Sequence, residues 1–466
     1  MMMNQLLLRF FFILSLPLML VDAAPAQVPC GSGVYVGGHI RRERPNTIKT
    51  LRESGFTYVI LFNVDVQADG TLKTDGETIC ENGKYVFYKT QPHYVDDVRL
   101  LKTQPTSINR IEICIGGWEN GSYGNIRSLI NANGTDSNTM LYKNFKALLE
   151  AVPGIDAVNN DQEQDYDVTT AVKFHTMMYD LGLKTTIAPY MNKSYWQSFV
   201  SRLNAARPGA CDRVLIQCYE GGAGNNPSDW KLGGLEVHAG RTDYQSAEDV
   251  SIAQMQTWHD NNGVTGGFVW IYNYETWNLN SWAIEMNKIF GTLNISKNPV
   301  ATIFSSNGFL GDSLKIDVGE YGKGIFALAG LSAFPLSSFR VDEGYQLVAF
   351  KGNFFDGDSV VVTGECIRIV KLLKTRPGSF KVQRVEETAI EGITANGDGV
   401  GLLFDSASHS VVISGAQGKM FNVYTTSGHK VFSIPVANAN ANLTLPLLPR
   451  GIYILSVGTK RMKVAL

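Results

Sequence analysis

At 466 residues, with 44% apolar and 11% aromatic side chains, the chain has material for two to four packed domains. Its formal net charge of −2 and pI near 6.4 show no basic excess, and no Lys/Arg run is of the kind that tracks phosphates. Nucleic acid and anionic membranes are therefore excluded as main partners.

The N-terminus reads as a targeting segment. Arg9 precedes the apolar run Phe10 to Val21, and Ala24-Pro25-Ala26 supplies small residues for a signal peptidase, so residues 1–26 are expected to be an export signal. Gln27-Val28-Pro29 before Cys30 is no lipidation signal, and no other run is long and apolar enough to span a bilayer. A secreted or outer-surface location follows, with no transmembrane segment in the mature chain. The other cysteines, Cys80, Cys114, Cys211, Cys218 and Cys366, lack the paired spacing of a zinc site. Cys114 and Cys218 lie in apolar runs and read as small hydrophobes, while any disulfide pairing stays open.

From residue 27 to about 295, short apolar runs alternate with helical patterns. Strands are expected at Gly33–Gly37, Tyr58–Val64, Arg110–Gly117, Gly154–Glu163, Leu183–Met191, Arg213–Glu220, Leu235–Ala239 and Gly267–Asn273. Helices are expected at Asn46–Glu53, Val95–Lys102, Leu141–Ala151, Thr169–Leu181, Tyr195–Ala206 and Ser246–His259. That rhythm predicts an α/β fold, a (β/α)₈ TIM barrel, with an open doubly wound sheet as the alternative. No Gly-rich nucleotide fingerprint follows the first strand.

The fourth strand carries the chemistry. Side chains alternate along a strand, so Asn159, Asp161 and Glu163 share one face, and Asp156, Val158, Asn160 and Gln162 the other. Two like charges at a strand's C-terminal end push one carboxyl pKa upward and make a proton donor of it at neutral pH. Strand three ends Cys114-Ile115-Gly116-Gly117-Trp118, whose glycines admit close approach of backbone or ligand. On strand six, Gln217 and Tyr219 share a face, and strand eight brings Trp270 beside its exit as a sugar platform or as barrel packing.

These stretches together resemble glycoside hydrolase family 18, the chitinases and endo-β-N-acetylglucosaminidases. The family's Asp-Gly-x-Asp-x-Asp-x-Glu lies over Asp156 to Glu163 without a gap, and its Ser-x-Gly-Gly over Cys114 to Gly117; its strand-six Tyr falls on Tyr219 and its strand-eight Trp on Trp270. The resemblance implies retaining, substrate-assisted hydrolysis of a glycan containing N-acetylglucosamine, without metal or organic cofactor. Glu163 would be the general acid, Asp161 would orient the substrate's 2-acetamido group, and Tyr219 would hydrogen-bond its carbonyl. Asn159, Gln217, Trp270, Gly116, Gly117 and Trp118 would form the sugar-binding surround. Departures are Asn159 for an inward Asp, Ala157 for a Gly, Cys114 for a Ser, and polar Asn160 and Gln162 at outward positions. The alternative is a catalytically weak or inactive, lectin-like binder of chitin or N-glycans on the same barrel. The loops Val66–Tyr88 and Glu220–Gly234 are expected to shape the cleft, and chitin versus N-glycan stays open.

Two small all-β domains are expected behind the barrel. Over 299–385 an internal repeat sets Phe304, Phe309, Gly311, Asp312 and Ser313 against Phe350, Phe355, Gly357, Asp358 and Ser359, and Ser338-Phe339-Arg340-Val341 against Ser379-Phe380-Lys381-Val382. It resembles a βγ-crystallin domain of two Greek keys. Ala333-Phe334 and Lys374-Thr375 stand where that family's calcium motif has Asp or Asn, so no calcium is expected. Residues 386–401 read as a linker. The stretch 402–466, with its Ser427-Gly428 turn, Gly451-Ile452-Tyr453-Ile454 strand and basic Lys460-Arg461-Met462-Lys463 end, resembles the sorting domain of bacterial type IX secretion substrates. That resemblance implies the secretion machinery as a second partner; a plain β-sandwich carbohydrate module is the other reading.

Overall fold

The computed structural model describes residues 31–272, 278–291, 293–332, 336–385, 400–405, 410–425, 428–446, 448 and 451–465. The expected export signal, Cys30, Asn273, Ala333-Phe334, Ser427 and most of the expected linker lie outside these residues. No described helix is long and apolar enough to cross a membrane.

Eight parallel strands close into a barrel in sequence order: β1 Ser32–Val36, β2 Tyr58–Leu61, β3 Arg110–Gly116, β4 Ala157–Asp161, β5 Lys184–Ile187, β6 Cys211–Gln217, β7 Glu236–Thr242 and β8 Gly266–Tyr272. The chain is thus a TIM barrel followed by small β domains. Around the barrel run α1 Arg44–Ser54, α2 Tyr94–Leu101, α3 Ser122–Asn133, α4 Met140–Ala151, α5 Val168–Asp180, α6 Lys193–Ala206, α7 Glu248–Asn262 and α8 Leu279–Phe290. The helices bury an apolar stripe on the sheet, as α4 does with Leu141, Phe145 and Leu148. Between β6 and β7 the described connection has only two short 3₁₀ turns, Glu220–Gly222 and Pro227–Trp230, in place of an α-helix.

The expected strand Gly154–Glu163 is shorter at both ends. Before it, Asp156 turns outward to accept from the Ile111 N–H (2.7 Å) and from Lys102 Nζ (2.9 Å). After it, the Asp161 carbonyl is taken by Gly117 N–H at 2.7 Å, so pairing stops and Glu163 lies beyond the strand. The outward polar residues find partners of unequal quality: Gln162 accepts from the Tyr195 hydroxyl and donates to the Asp165 carbonyl (2.7 Å), whereas Asn160 Nδ2 is buried without a partner. The stretch Val66–Tyr88 is a small antiparallel sheet rather than a cleft loop, packed against α4.

Beyond the barrel, the first all-β module pairs two four-stranded sheets, with its own core around Ile303, Phe339, Leu347 and Ile369. Its strands are β9 Ala301–Ser306, β10 Leu310–Ile316, β11 Gly319–Tyr321, β12 Ser338–Val341, β13 Tyr345–Phe350, β14 Ser359–Val362, β15 Glu365–Cys366 and β16 Ser379–Arg384. The sheet orders are β10-β9-β12-β15 and β11-β16-β13-β14, so each half of the repeat lends a strand to the other. The repeat folds twice the same way. Phe309 and Phe355 both take positive φ (64° and 61°), and their N–H groups donate at 2.9 Å to Ser338 Oγ and Ser379 Oγ respectively. This is the paired Greek-key arrangement that the repeat predicts.

This module packs on the end of the barrel where strands begin. Arg52 lies over the Phe354 ring at 3.6 Å, Glu53 accepts from Asn353 (2.6 Å) and Lys323 (3.2 Å), and Asn287 Nδ2 reaches the Ala327 carbonyl at 3.0 Å. Residues 384–466 form a separate compact unit. Its strands are β17 Gly401–Asp405, β18 Ser410–Ser414, β19 Met420–Thr425, β20 Lys430–Pro435, β21 Asn440–Thr444, β22 Ile452–Val457 and β23 Lys460–Ala465. They form the sheets β17-β18-β21 and β20-β19-β22-β23, with Val411, Ile413, Phe421 and Leu455 in the core.

Candidate active site

A pocket of about 540 Å³ opens at the C-terminal ends of the barrel strands, walled by Phe62, Gly117, Trp118, Asp161, Glu163, Tyr190, Gln217, Tyr219, Glu220, Gly221 and Trp270. A TIM barrel places its chemistry at this end. The residues read from sequence as site candidates divide here. Glu163, Asp161, Tyr219, Gln217, Trp270, Gly117 and Trp118 reach the wall; Asn159 and Gly116 do not.

Asn159 is corrected from a sugar contact to a fully buried support. Its Oδ1 accepts from the Tyr35 hydroxyl (2.9 Å) and its Nδ2 donates to Thr186 Oγ1 (2.9 Å), and at 0% exposure it presents no surface to a ligand. Gly116 likewise acts through backbone shape. With φ of +111°, it lets β3 lie on β4, and a Cβ there would sit 2.1 Å from the Asp161 carbonyl oxygen.

Asp161 is 3% exposed, with Gln217 Nε2 donating to Oδ1 at 3.0 Å and the Cys114 thiol 3.9 Å from Oδ2. Gln217 is fixed by a second bond from Nε2 to the Ala188 carbonyl (2.9 Å). Burial, and after it the Glu163 charge, push the Asp161 carboxyl well above the usual carboxylate range. Burial also raises Glu163. Desolvation, rather than the like-charge repulsion expected from the sequence, is the larger cause at Asp161. Two interacting acids raised together titrate as a pair rather than as separate groups. Burial, then Asp161 and Glu163, likewise hold the Tyr219 phenol neutral, and burial keeps Cys114 a thiol.

Aromatic rings form much of the rest of the wall. Trp270 is braced edge-on by Phe62 (4.7 Å between centroids) and Tyr35 (5.1 Å), while Trp118 stands 73% exposed at the rim. Sequence reasoning missed Phe62 and Tyr190; the Glu220 carboxylate, also in the wall, accepts from Tyr244 at 2.9 Å. Phe62 directly follows β2 and Tyr190 lies three residues past β5, so the rule that barrel chemistry sits just past strand ends could have found both. Glu220 and Gly221 bring their loop to the pocket, as expected; among the described residues, Val66–Tyr88 contributes none to its wall. No group of three or more metal-ligating side chains occurs among the described residues.

No family model matches the chain, and no curated protein does. Among solved structures it is similar to the N-terminal domain of protein S (24% identity, TM-score 0.17, 18% of this chain and 96% of that one). It is also similar to βγ-crystallin domains from Flavobacterium johnsoniae (22%, 0.18, 19% and 99%) and Clostridium beijerinckii (17%, 0.17, 18% and 95%). At these scores the likenesses carry nothing about the pocket. A TIM barrel of this kind is compatible with a glycoside hydrolase.

Proposed function

We propose that the barrel hydrolyses β-1,4-N-acetylglucosaminide bonds by a retaining, substrate-assisted mechanism, as an endo-β-N-acetylglucosaminidase or chitinase. The observation that carries this reading is the pair Asp161 and Glu163, both raised, delivered from one strand end into an aromatic-walled pocket. Two acids two residues apart at one strand end do not face each other across a bond as in the two-carboxylate scheme. One donates a proton, and its neighbour meets positive charge on the substrate.

In the proposed sequence, Glu163 protonates the glycosidic oxygen as the C1–O bond breaks. The substrate's 2-acetamido oxygen bonds to C1 from the opposite face, giving an oxazolinium ion. The pair starts with one negative charge and one proton; after transfer its two negative charges face the new positive charge. Tyr219 donates to the acetamido oxygen, and Trp270 carries the apolar face of the sugar. Water then attacks C1, the acetamido oxygen leaves, and Glu163 takes the water's proton, so configuration is retained. We further propose that residues 1–26 export the chain and that residues 402–466 engage secretion machinery.

The test uses the full chain beside its Glu163→Gln variant, with chitooligosaccharides and with an N-glycosylated protein, products being read by mass spectrometry. Product release in the parent, lowered by about two to four orders of magnitude in the variant, is expected. Glycan release leaving one N-acetylglucosamine on the protein assigns the endoglycosidase; shortened chitooligosaccharides assign the chitinase. Binding without product in the parent would replace this reading with the lectin-like one.

A further inference from the structure

A buried line of polar groups runs down the barrel interior from the site. Tyr35 OH donates to Asn159 Oδ1 (2.9 Å), Asn159 Nδ2 to Thr186 Oγ1 (2.9 Å), and Thr186 Oγ1–H to Glu112 Oε2 (2.5 Å). Glu112 Oε1 accepts from Arg110 Nε at 2.7 Å, and Arg110 is forked onto Asp212 (2.8 and 3.0 Å). Tyr35 is 1% exposed; Asn159, Thr186 and Glu112 are fully buried.

The line has a direction. A carboxylate paired with arginine accepts and does not donate, so the single Thr186 proton is committed to Glu112. Thr186 Oγ1 can then only accept from residue 159, which requires a donor, and an amide supplies one. The same reasoning orients the Asn159 carboxamide, with its oxygen toward Tyr35. An aspartate at this position would set an acceptor against an acceptor. It would also bury a third carboxylate two residues below Asp161 on the same strand face, about 6.6 Å along the strand.

We propose that Glu112 is a positioning residue for the site. It holds the interior's negative charge on β3 and, through Thr186, dictates an amide at position 159. The amide keeps Tyr35 donating downward, with its ring braced against Trp270, and adds no carboxylate directly beneath Asp161 and Glu163 on β4. Asn159 is a requirement of this wiring rather than a lost acid. The catalytic part of the proposal rests on the hydrolase reading; the wiring does not.

The experiment is a double-mutant cycle of Asn159→Asp and Glu112→Gln in the full chain, read by thermal unfolding and by kcat and KM on a chitooligosaccharide. Each single variant leaves one mismatched pair. Asn159→Asp faces the committed Thr186 oxygen, and Glu112→Gln must turn its amide donor toward either Arg110 or the Thr186 hydroxyl, whose own proton then loses its acceptor. In the double variant the line reverses. The introduced amide on β3 donates to Thr186, Thr186 donates to the introduced carboxylate on β4, and Arg110 still finds an acceptor. Each single variant is expected to lose several degrees in Tm and about tenfold or more in kcat with KM within about threefold. The double variant should be more stable than the sum of the singles predicts and recover kcat over Asn159→Asp. In a Thr186→Val background the coupling should vanish.

Additive Tm changes, or an Asn159→Asp variant as stable as the parent, would overturn the proposal. A coupled Tm cycle in a chain inactive on every glycan would leave the wiring standing and remove the hydrolase reading instead.

Discussion

Asp161 is held inside the barrel with a carboxamide donor on one oxygen and a thiol 3.9 Å from the other. Its folded-state pKa lies above the unfolded value near about 3.9. The stability linked to it is therefore full below the unfolded pKa and is lost as pH rises through the raised folded one. Asp161→Asn has no charge to bury, and its Oδ1 can still accept from Gln217. The variant is expected to unfold a few degrees higher than the parent near pH 8 and at nearly the same temperature near pH 4. Its activity should fall by about two orders of magnitude or more, as in a stability–activity trade-off. Thermal melts at the two pH values check this; a variant less stable at pH 8 would show that the carboxylate is supported rather than strained. The Asp161–Glu163 pair is legible in the sequence because two acids two residues apart at the end of an apolar strand pattern are a local signal. The partners of Asn159 are not, since Tyr35 and Thr186 lie 124 and 27 residues away and Glu112 another 74 from Thr186. Only barrel closure brings these polar groups together, so Asn159 reads from sequence as a defect.

Among the elements, β4 is set by what surrounds it. The β3 glycines accept its end, and α5, which leaves the loop after Glu163, starts on a strong cap. Asp167 accepts from Thr170 N–H at 2.7 Å and from the Thr170 hydroxyl at 2.6 Å, and these bonds hold its carboxyl below the usual range. With a lowered folded-state pKa, the cap's stabilisation is present above the unfolded value and lost as pH falls through the folded one. Asp167→Ala is expected to cost about 1 kcal/mol at neutral pH and clearly less near pH 3, measured by urea unfolding. Most helices are readable because their apolar stripes are dense. In α3 the stripe of Tyr123, Ile126 and Ile130 is diluted by Gly124, Asn125, Ser128 and Asn131, and the sequence reading passes over it. The β6–β7 connection is the converse case, where chain with two short turns covers a barrel flank that a helix covers elsewhere.

For the molecule, the module over residues 293–385 is joined to the barrel by contacts on Arg52, Glu53 and Asn287 as well as by the chain. A barrel ending at residue 291 would leave Glu53 and Asn287 without these partners and uncover the Arg52 stem. It is expected to unfold several degrees below the full chain, at roughly 2–4 °C per kcal/mol lost, while glycan turnover at 25 °C stays within about threefold. Equal melting temperatures would mean the two modules are linked but not energetically coupled. The repeat made this module's internal symmetry legible, whereas its seat on the barrel depends on residues that carry no motif.

That seat divides the barrel into two ends with separate duties. Among the described residues, none from 293–385 lines the pocket, and Arg52, Glu53 and Pro105, which meet the module, all precede the strands they lead into. The module therefore casts no steric shadow on the rim where Trp118 stands proud. Whatever enters the pocket does so past Trp118 and Trp270, and meets no residue of the module at its wall.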